Sequence, residues 1–306
     1  MARRVLVIKL GALGDFVQAF RAFEAIRLHH AGDRITLLTT APFADLARRS
    51  PWFDEVWVDE RPTWRKPGGW LALRRRLREA GFARVYDLQT SDRSSAYFAL
   101  FRPGPRPEWS GIARGCSHPH ANPDRDAMHT LDRQAEQLAM AGIPAIPDPG
   151  IAWLETDLGR FRLEGPVVLL IPGGSAHRGG KRWPAERYAA VATGIAQAGV
   201  TPLLLGGRDE ADLHAEIAAE APAVRSLAGQ TALPDVASLG YRASFAVGND
   251  TGPVHLIAAT GCRTVVLFSS DSDPALCAPR GGHVTVLRRD SLADLPTGEV
   301  MAHLPL

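Results

Sequence analysis

Ser244-Phe245-Ala246-Val247-Gly248-Asn249-Asp250-Thr251-Gly252-Pro253-Val254-His255 reads as strand, turn and helix. The apolar run over Ser244–Val247 is too short for a helix. Gly248 to Pro253 break it, and helical spacing then continues from Gly252 to Thr260. A short apolar strand that feeds straight into a helix is the unit of a parallel sheet covered on both faces. In such sheets ligands sit beyond the C-terminal ends of the strands. The amides of Thr251 and Gly252 open the helix, and free amides with the positive end of the helix dipole bind anions. Gly248 and Gly252 allow close backbone approach, and Pro253 suits a first helical turn. Thr251 adds a hydroxyl, and His255, four residues on, shares its face. Capping by Asp250 or Thr251, with His255 half-buried, accounts for part of the pattern but not for the two flanking glycines.

The same alternation extends outward in both directions. In the second half, Val167–Ile171, Thr201–Leu205, Val224–Leu227, Thr264–Phe268 and His283–Leu287 read as further strands. Ala185–Ala198, Glu210–Ala219 and Leu233–Leu239 read as helices between them. In the first half, Val5–Leu10, Ile35–Thr39, Glu55–Val58 and Arg84–Leu88 read as strands. Phe16–His29, Phe43–Arg49 and Trp70–Ala80 read as helices. Two such series predict an α/β protein of two Rossmann-like, doubly wound parallel-sheet domains. The linker-like stretch Gly142-Ile-Pro-Ala-Ile-Pro-Asp-Pro-Gly150 places the boundary within Gly142–Leu163, giving domains 1–152 and 153–306. Residues 103–127, rich in Pro, Gly, Arg and His, have no clear period and are expected to be an irregular excursion. Thr297–Leu304 reads as a short closing helix, free to pack back toward the N-terminal domain.

The 306 residues are 45% hydrophobic and 22% charged, ordinary for a water-soluble globular chain and enough for two cores. Lys9 and Asp15 interrupt the apolar start, which excludes a signal peptide, and no run is long enough to span a bilayer. A cytoplasmic location is expected. Cys116, Cys262 and Cys277 are odd in number and widely spaced, which argues against a disulfide framework. Residues 1–150 carry 22 Lys+Arg against 17 Asp+Glu, and residues 151–306 carry 13 against 16. A basic first half suits an anionic partner there, such as a phosphorylated acceptor or a membrane surface, and equally suits ordinary fluctuation.

Three more strand ends carry chemistry. After Ile171 comes Pro172-Gly-Gly-Ser-Ala-His-Arg-Gly-Gly-Lys-Arg-Trp-Pro184, a glycine-rich basic loop of the kind that cradles phosphate. It lacks the glycine and Ser/Thr positions of a Walker A loop. After Leu205 comes Gly206-Gly-Arg-Asp-Glu210, where a carboxylate either binds ribose hydroxyls or serves the next helix through Asp209 as N-cap. After the first strand comes Gly11-Ala-Leu-Gly-Asp-Phe-Val-Gln18, which is not the dinucleotide fingerprint G-x-G-x-x-G. Asp15 there is either a general base or part of an Asp15-x-x-Gln18 capping box. Asp271-Ser272-Asp273 resembles a metal-holding D-x-D but lies in a loop of a doubly wound domain. Cys116, His118, His120 and His129 lack paired metal-ligand spacing. No metal site is expected from either.

These motifs, in this order, resemble glycosyltransferase family 9, the heptosyltransferases that move heptose from ADP-heptose to the lipopolysaccharide inner core. The likeness covers nearly the whole chain. It rests on Val7-Ile-Lys-Leu-Gly-Ala-Leu-Gly-Asp15, Pro172-Gly-Gly-Ser175, Lys181-Arg-Trp-Pro184, Leu205-Gly-Gly207, Leu227-Ala-Gly229, Gly248–His255 and Val266-Leu-Phe268. The lead from His129 through Ile143 fits as well. The resemblance implies a GT-B fold, two Rossmann-like domains facing across a cleft, with the nucleotide sugar held by the C-terminal one and the acceptor by the N-terminal one. It implies inversion at the anomeric carbon without a metal or other cofactor. Asp15 matches the family's base and Lys181 its phosphate-contacting lysine. Glu210 matches the ribose-binding glutamate, and Asp250, Thr251, Gly252 and His255 the diphosphate and sugar site. Gly14, Ser175, Arg182 and Thr231 complete the donor set, Thr231 facing the adenine. The loop Ala176–Gly180 departs from the family in having no threonine pair.

An acceptor phosphate is expected to meet Arg61, Arg65 and Lys66, with Arg74–Arg76 nearby, since arginine pairs bidentately with phosphate. The implied partners are a nucleotide sugar and a phosphorylated, lipid-linked glycan, with peripheral contact at the cytoplasmic face of the inner membrane and no nucleic acid. Two other readings stay open on the residues alone: a sugar-nucleotide epimerase of the same fold, and a non-catalytic nucleotide-sugar binding module.

Overall fold

The computed structural model describes residues 2–63, 65, 67–174, 180 and 182–305. The chain divides into two compact units, Met1–Pro149 and Gly150–Leu306. Among the described residues no helix is long and apolar enough to cross a membrane.

The first unit alternates strand and helix: β1 (Arg4–Ile8), α1 (Leu13–Gln18), α2 (Phe20–His29), β2 (Arg34–Thr39), α3 (Ala41–Arg49), β3 (Glu55–Val58), α4 (Pro67–Glu79), β4 (Arg84–Asp87), α5 (Asp92–Ala99), β5 (Glu108–Gly111), β6 (His118–Pro119) and α6 (Thr130–Met140). The strands form a parallel sheet in the order β3-β2-β1-β4-β5-β6. The second unit contains β7 (Val167–Ile171), α7 (Ala185–Gln197), β8 (Thr201–Leu204), α8 (Ala211–Glu220), β9 (Arg225–Ser226), α9 (Leu233–Arg242), β10 (Phe245–Asn249), α10 (Gly252–Ala259), β11 (Thr264–Phe268), α11 (Pro274–Cys277), β12 (Val284–Arg288) and α12 (Thr297–Met301). Its parallel sheet runs β12-β11-β10-β7-β8-β9. Both are the doubly wound order in which the chain reverses direction across the sheet. The reversals fall between β1 and β4 in one unit and between β7 and β10 in the other, and they position the sites.

The apolar runs explain the central strands. Val167 to Leu170 and Ala246 to Val247 have no exposed surface, because helices cover both faces of the sheet. Each fully buried Val, Leu, Ile or Phe side chain contributes about 1.5–3 kcal/mol. Trp183 and Tyr188, meeting edge to face at 5.1 Å, pack with α7 against this sheet.

Four differences from the sequence reading have physical causes. The expected helix Phe16–His29 starts earlier and splits, because the Ala19 amide donates to Phe16 at 3.1 Å and tightens one turn. The expected strand Val224–Leu227 shortens to Arg225–Ser226 at the sheet edge. Residues 103–127 are not simply irregular: they supply β5 and β6 and complete the first sheet, with Trp109 fully buried between Phe98 and Phe101. The closing helix uses its apolar face within the second unit, where Val300 joins the core and Met301 packs by Gly194 of α7.

Candidate active site

The second unit's reversal brings the loops after β7, β8 and β10 together. Asn249, the last residue of β10, is fully buried. Its amide nitrogen donates to the Pro172 and Gly173 carbonyls at 2.7 and 3.0 Å. Its carbonyl oxygen accepts from the Trp183 amide at 3.2 Å and the Tyr188 hydroxyl at 3.0 Å. One side chain therefore ties both ends of the 172–184 loop to the strand before the α10 turn. Sequence reading quoted Asn249 but gave it no role, although a polar residue ending a wholly apolar strand was the available signal.

Glu210 fixes the same loop from the other side. Its Oε1 accepts from the Gly174 amide at 3.1 Å and its Oε2 from the Gly207 amide at 2.9 Å. A Cβ on residue 173 would collide with this carboxylate, so glycine there is a condition of the contact. Asp209 does not cap the following helix; Glu210 itself directly precedes α8. Arg182 donates to the Gly174 carbonyl at 2.9 Å. Ser175 and Lys181 lie outside the described residues.

A cavity of about 340 Å³ opens between these loops, within the size range of small-molecule sites. Gly173, Gly174, Glu210, Thr231, Thr251 and Pro253 are on its wall. Thr251 is the N-cap of α10, yet its side chain makes no capping bond. Its buried hydroxyl has no hydrogen-bond partner. Such an orphaned buried group calls for a partner, and a ligand in this cavity would supply one. Pro253 at N2 has no amide and the Val254 amide donates to the Thr251 carbonyl at 3.1 Å, so of the first turn it is the Gly252 amide at N1 that has no acceptor inside the helix. Gly248 is required below this turn, because a Cβ would lie 2.6 Å from Val254 Cγ2 and 2.7 Å from Ile171 Cβ. His255 Nε2 lies 3.5 Å from Asp250 Oδ1, and its Nδ1 is buried without a partner. Asp250 Oδ2 also accepts from the Ser272 hydroxyl at 2.7 Å. The structure thus brings Glu210, Thr231 and Thr251 onto one cavity; Asp250, Gly252 and His255 neighbour Thr251 and Pro253 in the α10 turn without lining it.

The D-x-D stretch is used structurally. Asp273 accepts from the Ala275 amide at 3.1 Å and pairs with Arg288 at 3.2 Å. His129 caps α6, its Nδ1 accepting from the Leu131 amide at 3.2 Å. Among the described residues no group of three or more His, Cys, Asp or Glu side chains is placed to hold a metal ion. Cys116, Cys262 and Cys277 form no disulfide with one another.

In the first unit Asp15 lies in the opening turn of α1, half-buried, one residue after Gly14. Its carboxylate accepts from the Ala12 amide at 3.3 Å, and Ala12, not Asp15, is the N-cap, so Asp15 and Gln18 do not form the N-cap pair of this helix. Arg61 is exposed in the turn after β3, at a φ of 51°, and its amide donates to Asp59 Oδ1 at 2.9 Å. It borders a cavity of about 590 Å³ with Thr63 and Arg76. The Arg76 guanidinium stacks 3.9 Å from the Trp57 ring. Asp59, which sequence reading missed, is buried and accepts from the Tyr97 hydroxyl at 2.6 Å. Burial pushes the Tyr97 hydroxyl up; Arg93 opposes the shift and Asp59 adds to it. Arg65 is exposed, and Lys66 lies outside the described residues.

Comparison with known proteins identifies the fold and the family. Lipopolysaccharide heptosyltransferase 2 of Salmonella typhimurium strain LT2 is 26% identical over 316 residues, covering 93% of this chain and 88% of its own. The crystal structure of a family 9 glycosyl transferase from Veillonella parvula superposes with a TM-score of 0.85 at 19% identity, covering 98% of this chain and 95% of that one. The ADP-heptose lipopolysaccharide heptosyltransferase II of Escherichia coli superposes with a TM-score of 0.78 at 22% identity, covering 98% and 97%. The structural likenesses show the GT-B fold. Residues 70–299 match glycosyltransferase family 9 (heptosyltransferase), most of the chain, and the protein is a glycosyltransferase belonging to that family.

Proposed function

We propose that the chain moves heptose from ADP-heptose onto a hydroxyl of a lipopolysaccharide core or related glycan, inverting the anomeric carbon. The observation that carries this reading is the buried, unpartnered Thr251 hydroxyl at the start of α10, on the wall of the cavity that Glu210 also lines. A diphosphate at the α10 end uses the free Gly252 amide and the helix dipole. Glu210, with one lone pair on each oxygen engaged by an amide, keeps others for ribose hydroxyls. Thr231 then faces the adenine, and Asp250 and His255 the phosphate-linked sugar. The names of the relatives support the choice of donor and acceptor.

In the proposed reaction the acceptor hydroxyl gives its proton to Asp15 as its oxygen bonds to the anomeric carbon. The bond from that carbon to the diphosphate breaks, and its electron pair leaves with ADP. Lys181, Arg182 and the amides at Thr251 and Gly252 meet the charge that develops on the leaving group, the task of preorganised donors. No metal ion or other cofactor takes part in this scheme. Arg61, with Arg65 and Lys66, is assigned to the acceptor's phosphate. The basic first unit suits work on a lipid-linked acceptor at the cytoplasmic face of the inner membrane.

The test is ADP release from ADP-heptose, with and without a lipopolysaccharide core acceptor. Release that requires the acceptor supports transfer. Conversion of the nucleotide sugar without acceptor, or binding with no turnover on any acceptor, would refute it.

A further inference from the structure

The loop after β11 has no part in the reaction proposed above, yet one of its side chains reaches the α10 turn. The Ser272 hydroxyl donates to Asp250 Oδ2 at 2.7 Å, across 22 residues of chain. The other oxygen of that carboxylate lies 3.5 Å from His255 Nε2, and the Asp250 and His255 side chains are 8% and 6% exposed. His255 Nδ1 is buried without a partner. The loop carries Ser272 from fixed points on either side. Ser270 gives both its amide and its hydroxyl to the Asp290 carbonyl beyond β12, at 3.2 and 2.9 Å. Asp273 accepts from the Ala275 amide and pairs with Arg288. Between them the buried Ser269 hydroxyl accepts the Asp271 amide at 3.2 Å. A Cβ on Gly180 would lie 2.7 Å from Asp271 Oδ2, so the loop also rests against the glycine-rich stretch after β7. Asp250 is tied to β11 from its own side, its amide donating to the Leu267 carbonyl at 3.0 Å.

Ser269 and Ser270 serve their own loop, whereas Ser272 crosses to the turn beyond the neighbouring strand. A carboxylate in a turn can rotate, and each orientation presents its oxygens differently. With Oδ2 engaged by Ser272 and Oδ1 beside His255, one orientation is set. Each oxygen accepts more than one hydrogen bond, so lone pairs remain for a ligand hydroxyl. We propose that Ser272 is a positioning residue for the donor sugar: its hydrogen bond holds the Asp250 carboxylate in the orientation that meets the sugar attached to the diphosphate. It rests on the reading of Asp250 and His255 as the groups that face that sugar. Groups around a reacting centre need such support from the layer behind them, because small displacements cost rate.

The experiment compares wild type, Ser272→Ala and Ser272→Thr in transfer kcat/KM for ADP-heptose and in calorimetric affinity for ADP. ADP carries the diphosphate but no sugar, so it reports the nucleotide site alone. Ser272→Ala should lose about tenfold in kcat/KM, the effect of one hydrogen bond to a charged group, and bind ADP within about twofold of wild type. Ser272→Thr keeps the hydroxyl and should recover most of the loss. In an Asp250→Ala background, Ser272→Ala should add less than about twofold, because the group it acts through is gone. Unchanged kcat/KM in Ser272→Ala, an equal loss on ADP, no recovery in Ser272→Thr, or full additivity in the Asp250→Ala background would overturn the role of Ser272 and leave the donor site as read. Wild-type kcat/KM in Asp250→Ala alone would overturn the reading of Asp250 as sugar-facing, and this proposal with it.

Discussion

The Glu210 carboxylate accepts the Gly174 amide at 3.1 Å, joining the loop after β8 to the glycine turn after β7. The contact spans 36 residues of chain. With the second bond, to Gly207, it makes Glu210 a brace for this cavity as well as the proposed ribose ligand.

Glu210→Gln should therefore weaken ADP binding beyond the loss of a ribose contact. One of the two amides would then face an NH2 group. Hydrogen bonds to a charged group contribute about 1.5–3 kcal/mol, so roughly a 10- to 100-fold loss of ADP affinity is expected by calorimetry. Wild-type affinity would show that neither bond organises the cavity.

Asp15→Asn keeps the acceptor atom for the Ala12 amide and removes the proposed base. It should fold and bind ADP normally while kcat falls on the order of 10²–10⁴, the usual effect of losing a general base. Steady-state transfer rates decide the matter, and near-normal turnover would exclude Asp15.

Asn249→Asp should be among the more damaging single-atom changes in the second unit. The nitrogen that donates to Pro172 and Gly173 becomes an oxygen facing two carbonyls. Loss of both bonds with buried repulsion is expected to cost at least about 3 kcal/mol, read as a lower urea midpoint. A shift under 1 kcal/mol would mean that other bonds hold the loop.

The fold was legible where the chain is simplest. Val167–Ile171 and Thr264–Phe268 are unbroken apolar runs, and their limits in the structure match the reading. Glu108-Trp-Ser-Gly111 and His118-Pro119 carry no such run and form strands only because β4, and then β5, presents an edge to pair with. Such pairing is a tertiary event that local pattern does not encode. The glycine turns around the cavity were visible for the same reason as the strands, since glycine punctuates the chain. The braces made by Glu210 and Asn249 were not, because their partners are far away in sequence. Lys9 read as a flaw in an apolar run, and only the folded chain shows its ammonium reaching the Leu88 carbonyl.

Asp87 gives the stability a distinctive pH dependence. Burial raises its pKa from 3.8 to about 6, against the pull of the Thr90 and Gln89 amides, the Ser94 hydroxyl and Lys9. A raised acid is fully stabilising below its unfolded value and loses that contribution as pH rises through the folded one. Asp87→Asn keeps an oxygen for both amides and cannot ionise. Its stability relative to wild type should therefore improve by on the order of 2–3 kcal/mol between pH 4 and pH 8. Urea unfolding at the two pH values measures this, and a constant difference would mean that Asp87 does not titrate in that window.

Lys181→Ala should weaken ADP binding, while leaving the melting temperature of the free protein unchanged. Calorimetry on the folded variant checks this, and equal ADP affinity would remove Lys181 from the phosphate site.

The central claim is that the α10 turn holds the diphosphate of the donor. Calorimetric titration of ADP into wild type and into Thr251→Val tests it most directly, because valine keeps the shape and deletes only the orphaned hydroxyl. ADP should bind wild type, and the variant should bind it at least tenfold more weakly with its melting temperature preserved. Equal affinities, or no binding of ADP to wild type, would contradict the placement of the nucleotide.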